Sequence, residues 1–165
     1  MYWGIQAGNG KGTIVRAWMD GTHRAAIVTA YWPRGLKINF KDSRLYFATH
    51  KPGKKIMTST FQGKDVKPAV SMLRGGFTYG IGFWNGRIYW SDSDLKALRS
   101  RAISGQDIKQ VYKDQDALTH LTAVPRIYPT NKRENDCDKK NCPNICVLNP
   151  KTSSCVSEDG RIQYR

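Results

Sequence analysis

One short pattern recurs along the chain at a nearly fixed interval of a little over forty residues. Its clearest copy is Gly86-Arg87-Ile88-Tyr89-Trp90-Ser91-Asp92; Ser43-Arg44-Leu45-Tyr46-Phe47 repeats it, and Met1-Tyr2-Trp3 repeats it again. A period of that size constrains the fold more than any composition figure, because it means one supersecondary unit used several times. Each copy reads as a strand. In the clearest one, Ile88 and Trp90 fall on one face and Tyr89 on the other. The Asn85-Gly86 pair before it is a tight-turn signal, since both residues tolerate positive φ.

The segments between the copies repeat as well. Thr13–Trp18, Lys55–Phe61 and Ala97–Ala102 read as strands that follow the Tyr strands, and each leads into a turn at Gly21, Gly63 or Gly105. Short apolar strands follow at Ala25–Thr29, Val66–Val70 and Ile108–Tyr112. Leu36–Phe40 and Thr78–Phe83 then lead into the next Tyr strand, and Leu121–Val124 starts a further copy. No stretch sustains apolar residues at helical spacing. The expectation is an all-β chain of four-stranded antiparallel units, packed face against face as propeller blades.

The chain carries 27 Lys and Arg against 13 Asp and Glu, a formal charge of +14. That balance favours polyanionic partners: acidic protein modules, sulfated glycans, anionic lipid or nucleic acid. The basic residues are scattered, which argues against a dedicated nucleic-acid motif. No apolar run reaches the ~18 residues of a membrane span, and no secretory leader is visible. Cys137, Cys142, Cys146 and Cys155 all lie near the C-terminus. Their spacing, with no His nearby, favours disulfides in an oxidising compartment over a zinc site. The spacing leaves the pairing open among three connectivities.

Arg87-Ile88-Tyr89-Trp90-Ser91-Asp92, together with Met19-Asp20-Gly21 and Trp32-Pro33-Arg34-Gly35-Leu36, resembles the YWTD (class B) repeats of the low-density lipoprotein receptor family. The four cysteines resemble the first four of the EGF-like module that follows such propellers. The resemblance implies a six-bladed β-propeller and an EGF-like module in the extracellular part of an endocytic or signalling receptor, itself a single-pass membrane protein. On that reading residues 1–132 form a partial propeller of about three to four blades and 133–165 a truncated EGF-like module, as in a piece of a longer receptor. It also implies the pairs Cys137–Cys146 and Cys142–Cys155. In the family the Asp after Tyr-Trp is a structural hydrogen-bonding residue. Here it is kept at Asp92, while Ile5 and Thr49 stand at the matching positions and Phe47 replaces a Trp. Buried backbone groups at those two places are then expected to need other partners, at about 1–3 kcal/mol each if unsatisfied.

No constellation for catalysis appears: there is no His-Glu-x-x-His, no Gly-x-Ser-x-Gly, and no carboxylate pair in an expected cleft. Gly8-Asn9-Gly10-Lys11-Gly12 lacks the Ser/Thr and helix of a phosphate-cradling loop and reads as a hairpin loop. Glu134-Asn135-Asp136 falls short of the oxygen ligand set that calcium needs. The chain is therefore expected to be non-enzymatic, with neither cofactor nor metal. Tyr2, Trp3, Tyr46, Phe47, Tyr89 and Trp90 read as inter-blade core. His23, His50 and His120 sit in different repeats, and His charges between neutral and endosomal pH. In receptors of this family the propeller docks acidic ligand-binding modules during release. His50 and Lys51 are the expected docking residues, with Trp18 and Trp32 as exposed aromatic candidates. Protein ligands or acidic receptor modules are the expected partners, with a heparan sulfate-like glycan as the alternative.

Overall fold

The computed structural model describes residues 1–71, 77–114, 116, 118, 121, 137, 140, 142, 145–148, 153–156 and 162–163. The described elements are strands, and helical geometry occurs among them only at Cys137. Two compact units are present. One comprises Met1–Tyr2, Val15–Ala25 and Pro125–Arg165; the other comprises Trp3–Ile14 and Ala26–Val124.

The strands reproduce the sequence period. β1 (Tyr2–Gln6), β2 (Lys11–Arg16) and β3 (Ala25–Tyr31) form a sheet in the order β1-β2-β3. β4 (Arg34–Asn39), β5 (Arg44–Thr49), β6 (Lys55–Thr60) and β7 (Lys67–Val70) form the second sheet in sequential order. β8 (Ile81–Trp84), β9 (Arg87–Asp92), β10 (Ala97–Ala102) and β11 (Ile108–Lys113) form the third in the same way. Neighbours in the second and third sheets are antiparallel, with Tyr46 opposite Thr58 and Tyr89 opposite Ser100. This is the meander of a propeller blade.

The larger unit is held by two apolar layers. Ile14 and Val28 of the first sheet pack with Phe47 of the second, flanked by Leu36 and Met57. Tyr46, Ile56 and Val70 of the second sheet pack with Ile81, Ile88 and Trp90 of the third. Tyr46 and Phe47 are chain neighbours on β5, so their side chains leave opposite faces of the sheet. One strand thus serves both layers, and its residues from Leu45 to Thr49 are all buried. Close backbone approach and a left-handed backbone coincide at Gly63 and Gly35. A Cβ on Gly63 would lie 2.1 Å from the Ile27 carbonyl oxygen, and one on Gly35 would lie 3.1 Å from that of Tyr79. Both glycines also have positive φ.

The glycine turns keep one hydrogen bond in all three repeats: the N–H of Gly21, Gly63 and Gly105 donates to the carbonyl three residues earlier, on Trp18, Thr60 and Ala102. Gly21 and Gly63 are left-handed, whereas Gly105 is absent from the positive-φ glycines.

Several strand ends differ from expectation, each for a local reason. Trp18 lies past the end of β2, in a turn where its N–H donates to the Thr22 carbonyl. Phe40 lies in a turn rather than in β4, because the Asn39 side chain accepts the Lys41 N–H and ends the strand. Residues 78–80, expected in a strand, precede β8. The N–H groups of Tyr79 and Gly80 donate to the Ser91 hydroxyl and that of Phe77 to the Ser93 hydroxyl, while the Ser91 and Ser93 N–H groups still donate to the Gly80 and Phe77 carbonyls, so side chains take over one half of the ladder there.

In the smaller unit β12 (Ile145–Leu148), β13 (Ser153–Val156) and β14 (Ile162–Gln163) form a three-stranded antiparallel sheet. Disulfides join Cys137 to Cys146 and Cys142 to Cys155. His120, Glu134, Asn135 and Asp136 lie outside the described residues.

Candidate functional site

At the end of the second sheet where β5 gives way to β6, four chain segments of the larger unit converge. The β3–β4 link brings Trp32, β4 brings Arg34, the β5–β6 turn brings His50, Lys51 and Lys54, and the segment before β8 brings Phe77 and Tyr79. The His50 imidazole stacks on the Phe77 ring at 4.3 Å between centroids and 17° between planes. Trp32 leans on both, 5.1 Å from His50 and 5.8 Å from Phe77. The Arg34 guanidinium covers the other aromatic pair, 5.2 Å from Phe77 and 4.9 Å from Tyr79. The Lys51 ammonium sits 6.0 Å from the Tyr31 ring.

The backbone explains why these groups meet. Trp32 has φ of 47°, a left-handed conformation that a bulky residue adopts only when its surroundings impose it. Its N–H donates to the Gly10 carbonyl at 2.8 Å, and a Cβ on Gly10 would lie 2.7 Å from the indole nitrogen. The hairpin loop Gly8–Gly10 is therefore the support on which Trp32 rests. His50 is fixed by its own N–H, which donates to the Tyr31 carbonyl at 3.0 Å. The preceding Thr49 hydroxyl donates to the same carbonyl at 2.9 Å.

The electrostatics are one-sided. Lys51, Lys54 and Arg34 surround His50, and Asp94 is the carboxylate that opposes them, 3.4 Å from Lys54. Burial against Phe77, followed by repulsion from Lys54, Lys51 and Arg34, holds the His50 pKa below the ordinary histidine value, and Asp94 offsets this in part.

The structure brings Trp32, His50 and Lys51 together. Trp18 belongs to the smaller unit, where it stacks on His23 at 3.5 Å. Tyr46, Phe47 and Trp90 lie in the two apolar layers, and Tyr2, Trp3 and Tyr89 are half-buried. Asp92 is buried, accepts the Leu95 N–H at 3.1 Å and lies 3.7 Å from Arg99. Lys54 and Phe77 complete the cluster without a sequence signal, and Arg34 and Tyr79 join it from the Trp32–Leu36 motif and the Thr78–Phe83 segment, which marked a repeat and not a site. Among the described residues no group of three or more His, Cys, Asp or Glu is placed to hold a metal ion.

No family model matches the chain. Low-density lipoprotein receptor-related protein 5 of Mus musculus is 26% identical over 152 residues, which is 88% of this chain and 9% of that protein. The chain carries YWTD repeats of the low-density lipoprotein receptor type. Among solved structures, the crystal structure of a nidogen/laminin complex matches with a TM-score of 0.62 at 18% identity, over 70% of this chain and 49% of that one. A gluconolactonase from Xanthomonas campestris matches with a TM-score of 0.56 at 15% identity, over 70% and 39% respectively. At those identities the structures show a shared fold alone. A YWTD chain with two disulfides is an extracellular β-propeller module. In such a blade the Tyr and the residue after it point to successive interfaces, as Tyr46 and Phe47 do here.

Proposed function

We propose that this YWTD module is non-enzymatic and docks acidic protein modules at the His50 end of its second sheet, more tightly as pH falls. The propeller part spans residues 1–132 and the EGF-like part 133–165, within a cell-surface receptor. The observation that carries the reading is the convergence of Arg34, Lys51 and Lys54 around the His50–Phe77 stack. At neutral pH the cluster attracts carboxylates through three cations while His50 is uncharged. An incoming carboxylate raises the His50 pKa, so proton uptake and docking reinforce one another. The aromatic rings hold the cations in place and supply flat apolar area, the composition of an interface centre.

The test is binding of the whole chain to an immobilised acidic receptor module at pH 7.4 and at endosomal pH, with wild type and the His50→Gln/Lys51→Gln variant. Affinity should rise on acidification in the wild type and lose most of that rise in the variant. Equal pH dependence in both proteins would remove His50 and Lys51 from the mechanism. Displacement by heparin at physiological salt, with no preference for the acidic module, would favour a sulfated-glycan partner instead.

A further inference from the structure

The two ends of the second and third sheets differ in chemistry. The His50 end is cationic and aromatic, and its rings are packed on one another. At the opposite end the hairpin tips carry large apolar side chains that pack on little. Phe40 between β4 and β5 is 79% exposed, Trp84 at the β8–β9 turn 52%, Val66 before β7 45%, and Ile103 after β10 39%. Phe61 meets Phe40 edge-on at 6.4 Å. At the His50 end of these two sheets Leu95 is exposed in a turn, and Val111 and Tyr112 are exposed on the edge strand β11 rather than on a hairpin tip.

The tips belong to one surface. The antiparallel order puts the β4–β5 and β6–β7 turns at one end of the second sheet, and the β8–β9 and β10–β11 turns at one end of the third. Ile103 N–H donates to the Gly86 carbonyl at 3.0 Å and joins the latter two turns. A cavity of about 310 Å³ opens between the sheets at this end, lined among others by Asp42, Arg44, Tyr46 and Lys67 from one and Arg101 and Ile103 from the other. Lysines flank the apolar tips: Lys41 next to Phe40, and Lys64 and Lys67 on either side of Val66. The carboxylates here are engaged within the protein. Asp42 accepts the Tyr46 hydroxyl at 2.5 Å, Asp65 pairs with Arg44 at 2.9 Å and Lys67 at 3.0 Å, and Asp107 lies 3.8 Å from Lys109.

We infer that this end of the sheets docks on an anionic phospholipid membrane. Isolated exposed apolar residues are ordinary on any protein. Aromatic and aliphatic side chains gathered on the hairpin tips of one end, interleaved with lysines, match the bilayer interface: apolar tips reach the acyl boundary while ammonium groups stay at the phosphates. A peptide partner would want a continuous groove or a free strand edge, whereas these tips stand on separate hairpins. The cavity between them is lined by Arg44 and Lys67, which share the Asp65 carboxylate, and by Arg101, which donates to the Ala69 carbonyl; three cations against Asp42 and Asp65 leave this rim net positive at the depth of a phosphate headgroup.

The test is co-sedimentation of the whole chain with phosphatidylcholine vesicles and with vesicles containing phosphatidylserine. Binding is expected on the anionic vesicles and near background on the neutral ones. Lys64→Gln/Lys67→Gln should weaken it by about fivefold per lysine, the worth of one cation near an anionic surface. Phe40→Ser should weaken it at least tenfold. Lipids brominated near the interface should quench tryptophan fluorescence in the wild type, and Trp84→Phe, which keeps the tip apolar, should remove most of that quenching while still binding. His50→Gln/Lys51→Gln should bind vesicles as the wild type does, so failure here is separable from failure at the His50 end. Absence of binding to anionic vesicles would overturn the inference. So would binding that Phe40→Ser leaves intact, since that is charge attraction without insertion, and so would binding of inositol phosphate without binding of vesicles.

Discussion

Thr49 stands one repeat before Asp92, and the structure gives the two positions opposite hydrogen-bonding demands. Asp92 accepts the Leu95 N–H at 3.1 Å and faces Arg99 at 3.7 Å. One repeat earlier the corresponding residues are Pro52, which has no N–H, and Met57, which has no charge. Thr49 donates instead, through its hydroxyl to the Tyr31 carbonyl at 2.9 Å, with the Lys51 carbonyl at 3.2 Å. Thr49→Asp restores the residue typical of this repeat, yet it should destabilise the protein. The carboxylate would face two carbonyl oxygens at a site only 9% exposed. Losing the donated bond costs about 1 kcal/mol, and a buried, poorly paired carboxylate adds a few more. Lys55 lies directly opposite on β6 and recovers part of this by ion pairing. The net expectation is about 2–4 kcal/mol for Thr49→Asp. Thr49→Val should cost only about 1 kcal/mol, because the His50 N–H still donates to the Tyr31 carbonyl. In thermal unfolding followed by circular dichroism, each kcal/mol corresponds to about 2–4 °C for a chain of this size. Burial raises the pKa of the new carboxyl above its unfolded value of about 3.9, so the folded state holds the proton more tightly. The deficit of Thr49→Asp should therefore shrink as pH falls towards that value and grow again on neutralisation. A Thr49→Asp protein as stable as wild type, or a deficit indifferent to pH, would refute the assignment of Thr49 as a donor.

Three further outcomes are expected. Burial and the hydrogen bond to Asp42 push the Tyr46 pKa up to about 12, so the folded state keeps its proton above the unfolded value of about 10. Stability should fall as pH rises from about 10 towards about 12, and Tyr46→Phe should flatten that slope in denaturant titrations. The His50 pKa is lowered by burial and by Lys54, Lys51 and Arg34, so its contribution is present at neutral pH and is lost as pH falls below the unfolded value of about 6.5. His50→Gln should remove that acid-side slope from the unprotected chain. Gly63→Ala should cost several kcal/mol and reduce soluble yield, because its Cβ would collide with the Ile27 carbonyl oxygen at 2.1 Å in a left-handed residue. Gly21→Ala, where nothing lies within 4 Å, should cost only about 1–2 kcal/mol from backbone strain.

The blade order was legible because three features share one period: the Tyr strand, the strand after it, and the glycine turn. Each is set by local chemistry that any copy of the sheet needs, so each repeats. The aromatic assignments followed from alternation, which sends Tyr46 and Phe47 to opposite faces wherever the strand is placed. His50, Lys51 and Trp32 were visible as a His, a Lys and a Trp in turns and links. Their convergence with Arg34, Phe77 and Tyr79 was not, since it depends on how successive sheets are juxtaposed and on the left-handed backbone of Trp32. Phe40 was expected at the end of an alternating strand, and the Asn39 side-chain turn instead puts it at a tip, whereas the place of Trp84 beside the Asn85-Gly86 turn was legible from the turn signal itself. Where the Ser91 and Ser93 hydroxyls accept N–H groups that a regular ladder would pair with carbonyls, no apolar pattern reports it.

The same geometry explains why the repeat motif is a pair of adjacent aromatics rather than one. A sheet that packs on both faces needs a large side chain for each, and on a strand the shortest way to supply two is consecutive residues. Phe47 fills the layer shared with the first sheet, and Tyr46 fills the layer shared with the third. The two positions are not equivalent. The residue after Tyr is wholly buried at Phe47 and Trp90, so its identity is a packing matter, and Phe can replace Trp where Met57 and Leu36 fill the remainder. The Tyr position keeps a polar tip near the rim, where Asp42 accepts its hydroxyl beside the cavity of the apolar-tipped end. Tyr46 thus joins the core to that surface. Tyr46→Phe should leave the apolar layer and the net charge unchanged while depriving the Asp42 carboxylate of its hydroxyl donor, and a carboxylate no longer held by that hydrogen bond at the rim should weaken vesicle binding with little loss of stability at neutral pH. A loss of vesicle binding only in proportion to unfolded protein would show that Tyr46 acts through packing alone.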